Sequence, residues 1–317
     1  MTANILPFYV AIPLGSAFLI SLFARVNRRI GDWLAGIATF MLLVLSLAPF
    51  VYGVSSRVFV YSVGGWVPPL GICMVMDGLT CFMLVTLNLV SFLVTIYSLR
   101  YMERYTDKWK FYTLFMLMIA GMNGIVITGD LFNLFVFLEI ASIASYALVA
   151  FGTEAEELEA SFKYAIMGSV ASSFILLAIA MLYSYTATLN MADISLVLAE
   201  KGSGLVVRFV AVLFLAGFGL KAAIVPFHAW LPDAHPSAPA SISAMLSGVL
   251  IKVLGVYALL RIFFNIFGIT HATLVILMVL GALSLLVGVF LAIGQWDLKR
   301  LLAYHSISQI GYIILGI

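Results

Sequence analysis

The stretch GLKAAIVPFHAWLPDAHPSAPASISAMLSGVLIKVLGVYALLR (219–261) decides the reading of this chain. It opens at the end of an apolar run, 205–225, breaks into a polar, proline-rich patch, and resumes as a second apolar run, 241–264. Each run carries a lysine: Lys221, five residues before Pro226, and Lys252, near the middle of the second. Pro226 donates no backbone hydrogen bond and clashes with the carbonyl of residue 222, so the first run cannot continue undisturbed as a helix. The patch beyond it holds His228, Trp230, Pro232, Asp233, His235, Pro236 and Pro239. It reads either as a plain loop or as a helix broken within the bilayer, where freed carbonyls hold water beside an ionisable group.

The rest of the chain repeats the apolar theme. Of 317 residues, 64% are hydrophobic and only 9% are Asp, Glu, Lys or Arg, with a mean hydropathy of +1.17. A soluble domain keeps about a quarter of its residues charged to cover its surface. Lipid must therefore be the solvent for most of this exterior. Apolar runs fall at about 5–23, 33–53, 76–99, 111–128, 131–151, 161–187, 205–225, 241–264, 272–294 and 301–317. They are continuously apolar rather than alternating, so they are helices, about ten in all, each able to cross roughly 30 Å of hydrocarbon. The expected fold is an all-α polytopic membrane protein forming a single membrane domain.

Between the runs, 57–70 holds Gly64, Gly65, Pro68 and Pro69 and reads as an external loop or hairpin. Asp193 to Ser203 is half polar and reads as an interfacial helix or loop. Basic residues set the orientation. With the N-terminus outside, the inner loops hold Arg25, Arg28, Arg29, Arg100, Arg104, Lys108, Lys110, Lys299 and Arg300. The outer side keeps Arg57, Lys201, Arg208 and Arg261, and that asymmetry favours N-terminus out. The loop 152–160, with Glu154, Glu156, Glu157 and Glu159, falls on the inner side. The final run ends at Ile317 without a polar tail, which reads as a truncation or as half of an assembly completed by another chain.

Several function classes drop out. The net charge of +2 and the lack of a basic stripe give no nucleic-acid surface. No P-loop, GxSxG or HExxH is present. Cys73 and Cys81 lack CxxC spacing and read as small buried residues. No metal or cofactor is called for.

A charge at mid-bilayer costs a few kcal/mol on insertion scales, so it is expected to face protein or water and to serve a function. Glu139 lies near the middle of 131–151, Lys252 near the middle of 241–264, and Lys221 toward the end of 205–225. Lys163 sits about one turn inside 161–187, where snorkelling to the interface is the alternative reading. Burial raises a carboxyl pKa and lowers an amine pKa, while an opposite charge pulls each back. A Glu paired with a Lys in low dielectric therefore switches protonation when a third charge approaches, which is chemistry for proton hopping. A structural ion pair inside the bundle is the bland alternative.

At this point four stretches resemble one family: GDLFNLFVFLEIASIASYALVA (129–150), SFKYAIMGSVASSF (161–174), the opening 219–261 stretch and DLKRLLAYHSISQIGYIILGI (297–317). It is the antiporter-like subunit shared by respiratory complex I, multi-subunit cation/proton antiporters and energy-converting membrane-bound hydrogenases. The resemblance begins at about Asp77 in MDGL and runs to the end. It implies inverted five-helix repeats, each with a broken helix. Residues 1–110 would be N-terminal helices, 111–265 the first repeat, complete, and 266–317 the start of the second. It also implies roles: Glu139 as the glutamate of the fifth helix, Lys221 as its partner on the broken helix, Lys252 as the central lysine, and Lys163 as a lysine of the sixth helix. His228 joins this translocation set from the break.

The chain departs from the family pattern in stopping within the tenth helix and in carrying His305 in AYHSIS, which resembles hydrogenase-type members. DLFNL (130–134) and DLKRL (297–301) share a pattern, so His305 with Tyr312 falls, after a one-residue shift, where Glu139 with Tyr146 does. His305 is thus the candidate titratable group of the second repeat, with a hydrogen-bonded structural histidine as the alternative.

The function expected is proton, or Na+/H+, translocation within a larger redox-driven complex in the cell membrane, with no catalytic redox centre in this chain. The partners expected are lipid, other membrane subunits, a second chain completing the fold, H+ and Na+. The rival readings are a haem- or quinone-binding subunit and a purely structural one. Haem needs an axial histidine, and the four histidines offer no pair at facing depths. Asp130, Asn133, Ser142 and Ser145 are the oxygens available for a sodium site, or else ordinary helix-end and packing groups.

Overall fold

The computed structural model describes residues 3–23, 29–51, 58–202 and 204–317. Arg25, Arg28 and Arg57, which enter the orientation argument, and Ser203 lie outside the described residues. Among the described residues nine helices are long and apolar enough to cross a membrane. The protein is a helical, multi-pass membrane protein, as lipid requires when it offers backbone groups no hydrogen-bond partners.

The order begins with α1 (Phe8–Phe23) and α2 (Ile30–Val51). A small antiparallel hairpin follows, in which β1 (Phe59–Ser62) pairs with β2 (Cys73–Met76), Phe59 opposite Met76 and Ser62 opposite Cys73. It forms around the Gly- and Pro-rich segment expected as a loop or hairpin. Four long helices come next: α3 (Gly78–Tyr101), α4 (Lys108–Ile127), α5 (Leu131–Val149) and α6 (Ala155–Thr186). The expected loop 152–160 is mostly helix, because α6 starts at Ala155 rather than near 161. Glu157 accepts the Glu154 N–H at 3.3 Å, and carboxylates in a first helical turn are favoured by the helix dipole. The half-polar segment after it is helical, α7 (Met191–Lys201), with Asn190 as its N-cap.

The broken helix is present. Its first half, α8 (Leu205–Ala222), ends where Ala223 turns left-handed, with φ 56°. The Ile224 N–H then closes on the Gly219 carbonyl at 3.0 Å, as helix ends of this type do. The backbone freed by the break is satisfied inside the bundle: the Val225 N–H donates to Ser284 Oγ at 3.0 Å, and the Trp230 indole donates to the Leu220 carbonyl at 3.0 Å. The second half is α9 (Leu231–Ser237). Next, α10 (Ala240–Met245) passes through two π-helical stretches, Leu246–Leu250 and Lys252–Tyr257, into α11 (Ala258–Ile262) and a third, Phe263–Phe267. The chain continues with α12 (His271–Ile293) and α13 (Leu298–Leu315). Polar Lys299, Arg300, His305 and Gln309 make α13, the tenth expected run, less apolar than the other nine; it packs along α12.

The up-and-down path sorts charges by end. At one end the turn around Tyr105–Asp107 meets Phe151–Thr153 across a shared cavity, and Lys108 pairs with Asp32 at 2.9 Å. Lys163, α9 and the start of α13 lie at this same end. At the other end Asp77 caps α3 by accepting the Thr80 N–H at 2.9 Å. Its carboxylate forks onto Arg261, with both N–O distances 2.6 Å.

Candidate functional site

Glu139 and Lys221 are brought together. Glu139 stands on the third turn of α5, and Lys221 is the penultimate residue of α8. Lys221 Nζ lies 3.9 Å from Glu139 Oε1; the lysine side chain is 2% exposed and the glutamate 29%. The ammonium donates to Ser142 Oγ at 2.9 Å and to the Tyr146 hydroxyl at 3.2 Å. The carboxylate accepts a hydrogen bond from Ser172 Oγ on α6. Ser142 and Tyr146 follow Glu139 by three and seven residues, so one face of α5 supplies these three. Lys221 places two of its donors on hydroxyls and faces the carboxylate at ion-pair distance, and its place near a helix C-terminus adds the favourable end of the dipole.

Small residues make this approach possible. A Cβ on Gly168 of α6 would collide with the Tyr146 hydroxyl, and one on Gly255 would collide with Ala222 beside Lys221. The second contact presses the end of α8 onto the π-helical stretch that begins at Lys252. Tyr146 meets Tyr164 edge-on at 4.5 Å, and Tyr164 stacks on Trp230 at 4.1 Å with an interplanar angle of 4°. Ser145 Oγ donates to the Tyr164 hydroxyl at 3.1 Å.

Lys252 occupies a different setting. It is half-buried and donates to the Ser247 carbonyl of its own helix. Among the described residues no carboxylate lies within ion-pair distance of it. Ser306 Oγ of α13 donates to Ser247 Oγ at 2.9 Å, tying the π-helical region to α13. One π-helical stretch ending just before the lysine and another beginning at it are a local departure of the kind common at functional sites. His305, next to Ser306, is exposed on α13 and is not drawn into this group.

Lys163 lies apart from the buried pair. Its side chain is 48% exposed and pairs with Glu159 at 2.9 Å and with Asp233 of α9 at 3.0 Å. Asp233 also pairs with Arg300 of α13 at 3.0 Å. These groups line a vestibule of about 380 Å³ together with Glu156, Pro236 and Asp297. His228 sits half-buried between α8 and α9, its Nδ1 buried.

The four oxygens weighed for sodium do not form one cluster. Asp130 caps α5 through the Asn133 N–H at 2.8 Å, and burial pushes its carboxyl up. Ser142 and Ser145 lie about 18 and about 22 Å further along the helix axis and are engaged by Lys221 and Tyr164. Both cysteines are buried and free, Cys73 Sγ accepting from Asn190 Nδ2 at 3.0 Å.

Sequence reasoning missed the hydroxyls around the pair, Tyr146, Ser142 and Ser172, as a group; the i, i+3, i+7 spacing from Glu139 was the available signal for two of them. It also left Arg261 among the outer basic residues, with no sign that it reaches back 184 positions to Asp77.

A half-buried glutamate beside a buried lysine at the end of a broken helix, in a multi-pass bundle, defines the class of membrane protein to which its relatives belong. The chain belongs to the NADH:quinone oxidoreductase/Mrp antiporter transmembrane family, whose profile matches residues 128–317. A second profile, the N-terminus of NADH-ubiquinone oxidoreductase (complex I) chain 5, matches residues 69–112. A Na(+)/H(+) antiporter subunit from Alkalihalophilus pseudofirmus is 36% identical over 317 residues, covering 99% of this chain and 63% of the relative. A chain of the membrane-bound sulfane sulfur reductase, an archaeal respiratory membrane complex, superposes with a TM-score of 0.91 at 32% identity, over 99% of this chain and 64% of that one. A chain of the Mrp complex from Dietzia sp. DQ12-45-1b gives 0.90 at 30% identity, over 100% and 59%. The chain thus spans about three fifths of the length of these relatives.

Proposed function

We propose that the protein translocates protons, alone or in exchange for Na+, as the antiporter-like subunit of a larger membrane complex. The observation that carries this reading is Lys221: an ammonium 2% exposed, whose nearest carboxylate is 3.9 Å away and whose other contacts are hydroxyls. Removing an ammonium from water costs several kcal/mol unless it is well paired. At 3.9 Å the pair is loose, so a change in charge near the half-exposed Glu139 alters how firmly Lys221 holds its proton. The proton lost from Nζ has the Ser142 and Tyr146 oxygens as immediate acceptors.

Lys252 would be the next station, with His228 and Lys163 toward the vestibule and His305 toward the second repeat. Residues 111–265 would form the first repeat, after N-terminal helices at 1–110, and 266–317 would open the second. The vestibule end, which gathers Lys108, Lys110, Lys163, Lys299 and Arg300, would face the cytoplasm, leaving the N-terminus outside. The relatives named as antiporter subunits or found in respiratory and Mrp complexes support both the ion chemistry and other membrane subunits as partners.

The test is proton movement in proteoliposomes holding the assembled complex with its full-length chain. Glu139→Gln and Lys221→Met are expected to abolish it while the complex still assembles. Transport at the unmodified rate in either variant defeats the proposal and leaves the charges as packing.

A further inference from the structure

At the vestibule end, Lys108, Lys110, Lys163 and Arg300 each hold a carboxylate, at 2.9, 2.6, 3.0 and 3.0 Å. Arg100, on the last turn of α3, and Arg104, just beyond it, hold none, and Glu103 beside them forms no ion pair with either. All 14 Asp and Glu residues lie within the described part of the chain, so no carboxylate is left over for them. Both arginines are exposed. Two neighbouring guanidiniums without a counter-charge, where a membrane span ends, call for an anion.

The site is built rather than loose. Arg104 Nε donates to the Tyr101 carbonyl at 3.2 Å, and its guanidinium carbon lies 3.9 Å over the Tyr101 ring. That ring stacks on Tyr97 at 5.2 Å with an interplanar angle of 25°. The Tyr101 hydroxyl accepts the Ala240 N–H at 3.2 Å, at the start of α10, so the ladder is tied to the bundle. Arg104 is thus held before any ligand arrives, which lowers the ordering cost of binding. A guanidinium fork matches the oxygens of a phosphate group.

The same face of α3 is apolar beyond the arginines. Phe82, Leu89, Leu93 and Ile96 are exposed and form one helical column that Arg100 completes four residues on. Thr86, in the same column, turns its hydroxyl onto the Phe82 carbonyl at 2.9 Å. Leu89 to Arg100 covers about 17 Å along the axis, close to one leaflet of a roughly 30 Å core. Helices that pack on one another in lipid offer small residues for close approach, whereas this column is mostly bulky. Tyr97 and Tyr101 stand where aromatic rings mark the headgroup level. We propose that this face holds an anionic phospholipid, with its phosphate on Arg100 and Arg104 and an acyl chain along Leu89, Leu93 and Ile96. The apolar column beneath the charges selects a lipid over a soluble anion. The assignment does not depend on the protein moving protons.

The experiment places the assembled complex, with its full-length chain, in phosphatidylcholine nanodiscs containing a trace of phosphatidylglycerol with a photoreactive diazirine in its acyl chain. Labelled peptides are read by mass spectrometry, and a phosphatidylcholine probe with the same chains is run at equal dilution. The phosphatidylglycerol probe is expected to label α3 between Leu89 and Ile96, the phosphatidylcholine probe far less, and unlabelled phosphatidylglycerol should suppress the signal. Arg100→Gln combined with Arg104→Gln is expected to weaken this labelling at least about tenfold, since charge-assisted hydrogen bonds are lost. Arg100→Lys combined with Arg104→Lys keeps the charge and should keep most of it. The comparison of the two probes on the unmodified complex decides the matter even if the glutamine variant fails to assemble. Equal labelling by both probes, labelling unchanged in R100Q/R104Q, or a face left unlabelled because another subunit covers it overturns the assignment.

Discussion

Three residues that have no charge hold Lys221 and Glu139 in place. The hydrogen bonds of Lys221 to Ser142 and Tyr146 share an ammonium that Glu139, itself held by Ser172, binds only loosely. Tyr146→Phe deletes one acceptor at 3.2 Å and leaves the ring packed against Tyr164; transport is expected to slow several-fold without loss of assembled complex. Gly168→Ala acts on the same hydroxyl from the other side, since its new Cβ falls where the oxygen lies. It should both slow transport and lower thermal stability by about 1–3 kcal/mol, the usual range for overpacking, and the two effects are separable by assaying Tyr146→Phe in parallel. Glu139, Lys221 and Lys252 were legible in the sequence because a charge inside an apolar run has few structural excuses. The hydroxyls were not, because Ser and Tyr occur throughout membrane helices as packing groups and only their three-dimensional convergence singles them out.

Breaks and clasps matter most among the elements. The α8–α9 break was visible in the proline-rich patch, and so was the existence of most spans, from run length alone. Boundaries were poorer: α6 begins six residues before its expected start because Glu154, Ala155 and Glu156 are polar or small yet well suited to a helix N-terminus. The π-helical stretches around Lys252 left no mark in the apolar pattern. The Asp77–Arg261 clasp was equally hidden, since ion pairs between distant segments carry no local signal. Burial by itself would raise the Asp77 carboxyl, but hydrogen bonds from Arg261 and the Thr80 N–H, with the guanidinium charge, outweigh it and hold the group at about 2. Its folded value lies below the free value of 3.8. The clasp thus contributes fully above about pH 4 and is lost as pH falls through about 2. Asp77→Asn leaves a largely buried Arg261 unmatched and is expected to destabilise the protein by about 3 kcal/mol. Thermal unfolding of the detergent-solubilised complex at neutral pH checks this; an unchanged midpoint would show the clasp to be energetically idle.

Taken whole, the described residues place their charges at two ends, with the Glu139–Lys221 pair and Lys252 inside the bundle. Lys163, Asp233 and Arg300 sit at the vestibule mouth as exposed ion pairs, which salt screens readily. Lys163→Ala is therefore expected to slow transport most at low ionic strength, with the deficit closing as salt is raised; a deficit independent of salt would place Lys163 inside the path rather than at its mouth. The class of fold was readable from composition, and the family from the 219–261 stretch, because both rest on long unbroken patterns. Which charges meet was readable only for Glu139 and Lys221, while the meeting of α9 with α13 depended on packing between segments more than sixty residues apart.

The central claim is that Glu139 and Lys221 exchange protonation states during turnover. Infrared difference spectroscopy of the driven, assembled complex addresses it directly, because a carboxylic acid shows a carbonyl stretch that a carboxylate lacks. The account predicts a carbonyl band that appears on driving the complex, responds to H/D exchange and is absent in Glu139→Gln. A complex that moves protons with no such band, or with a band unaltered by Glu139→Gln, would contradict it.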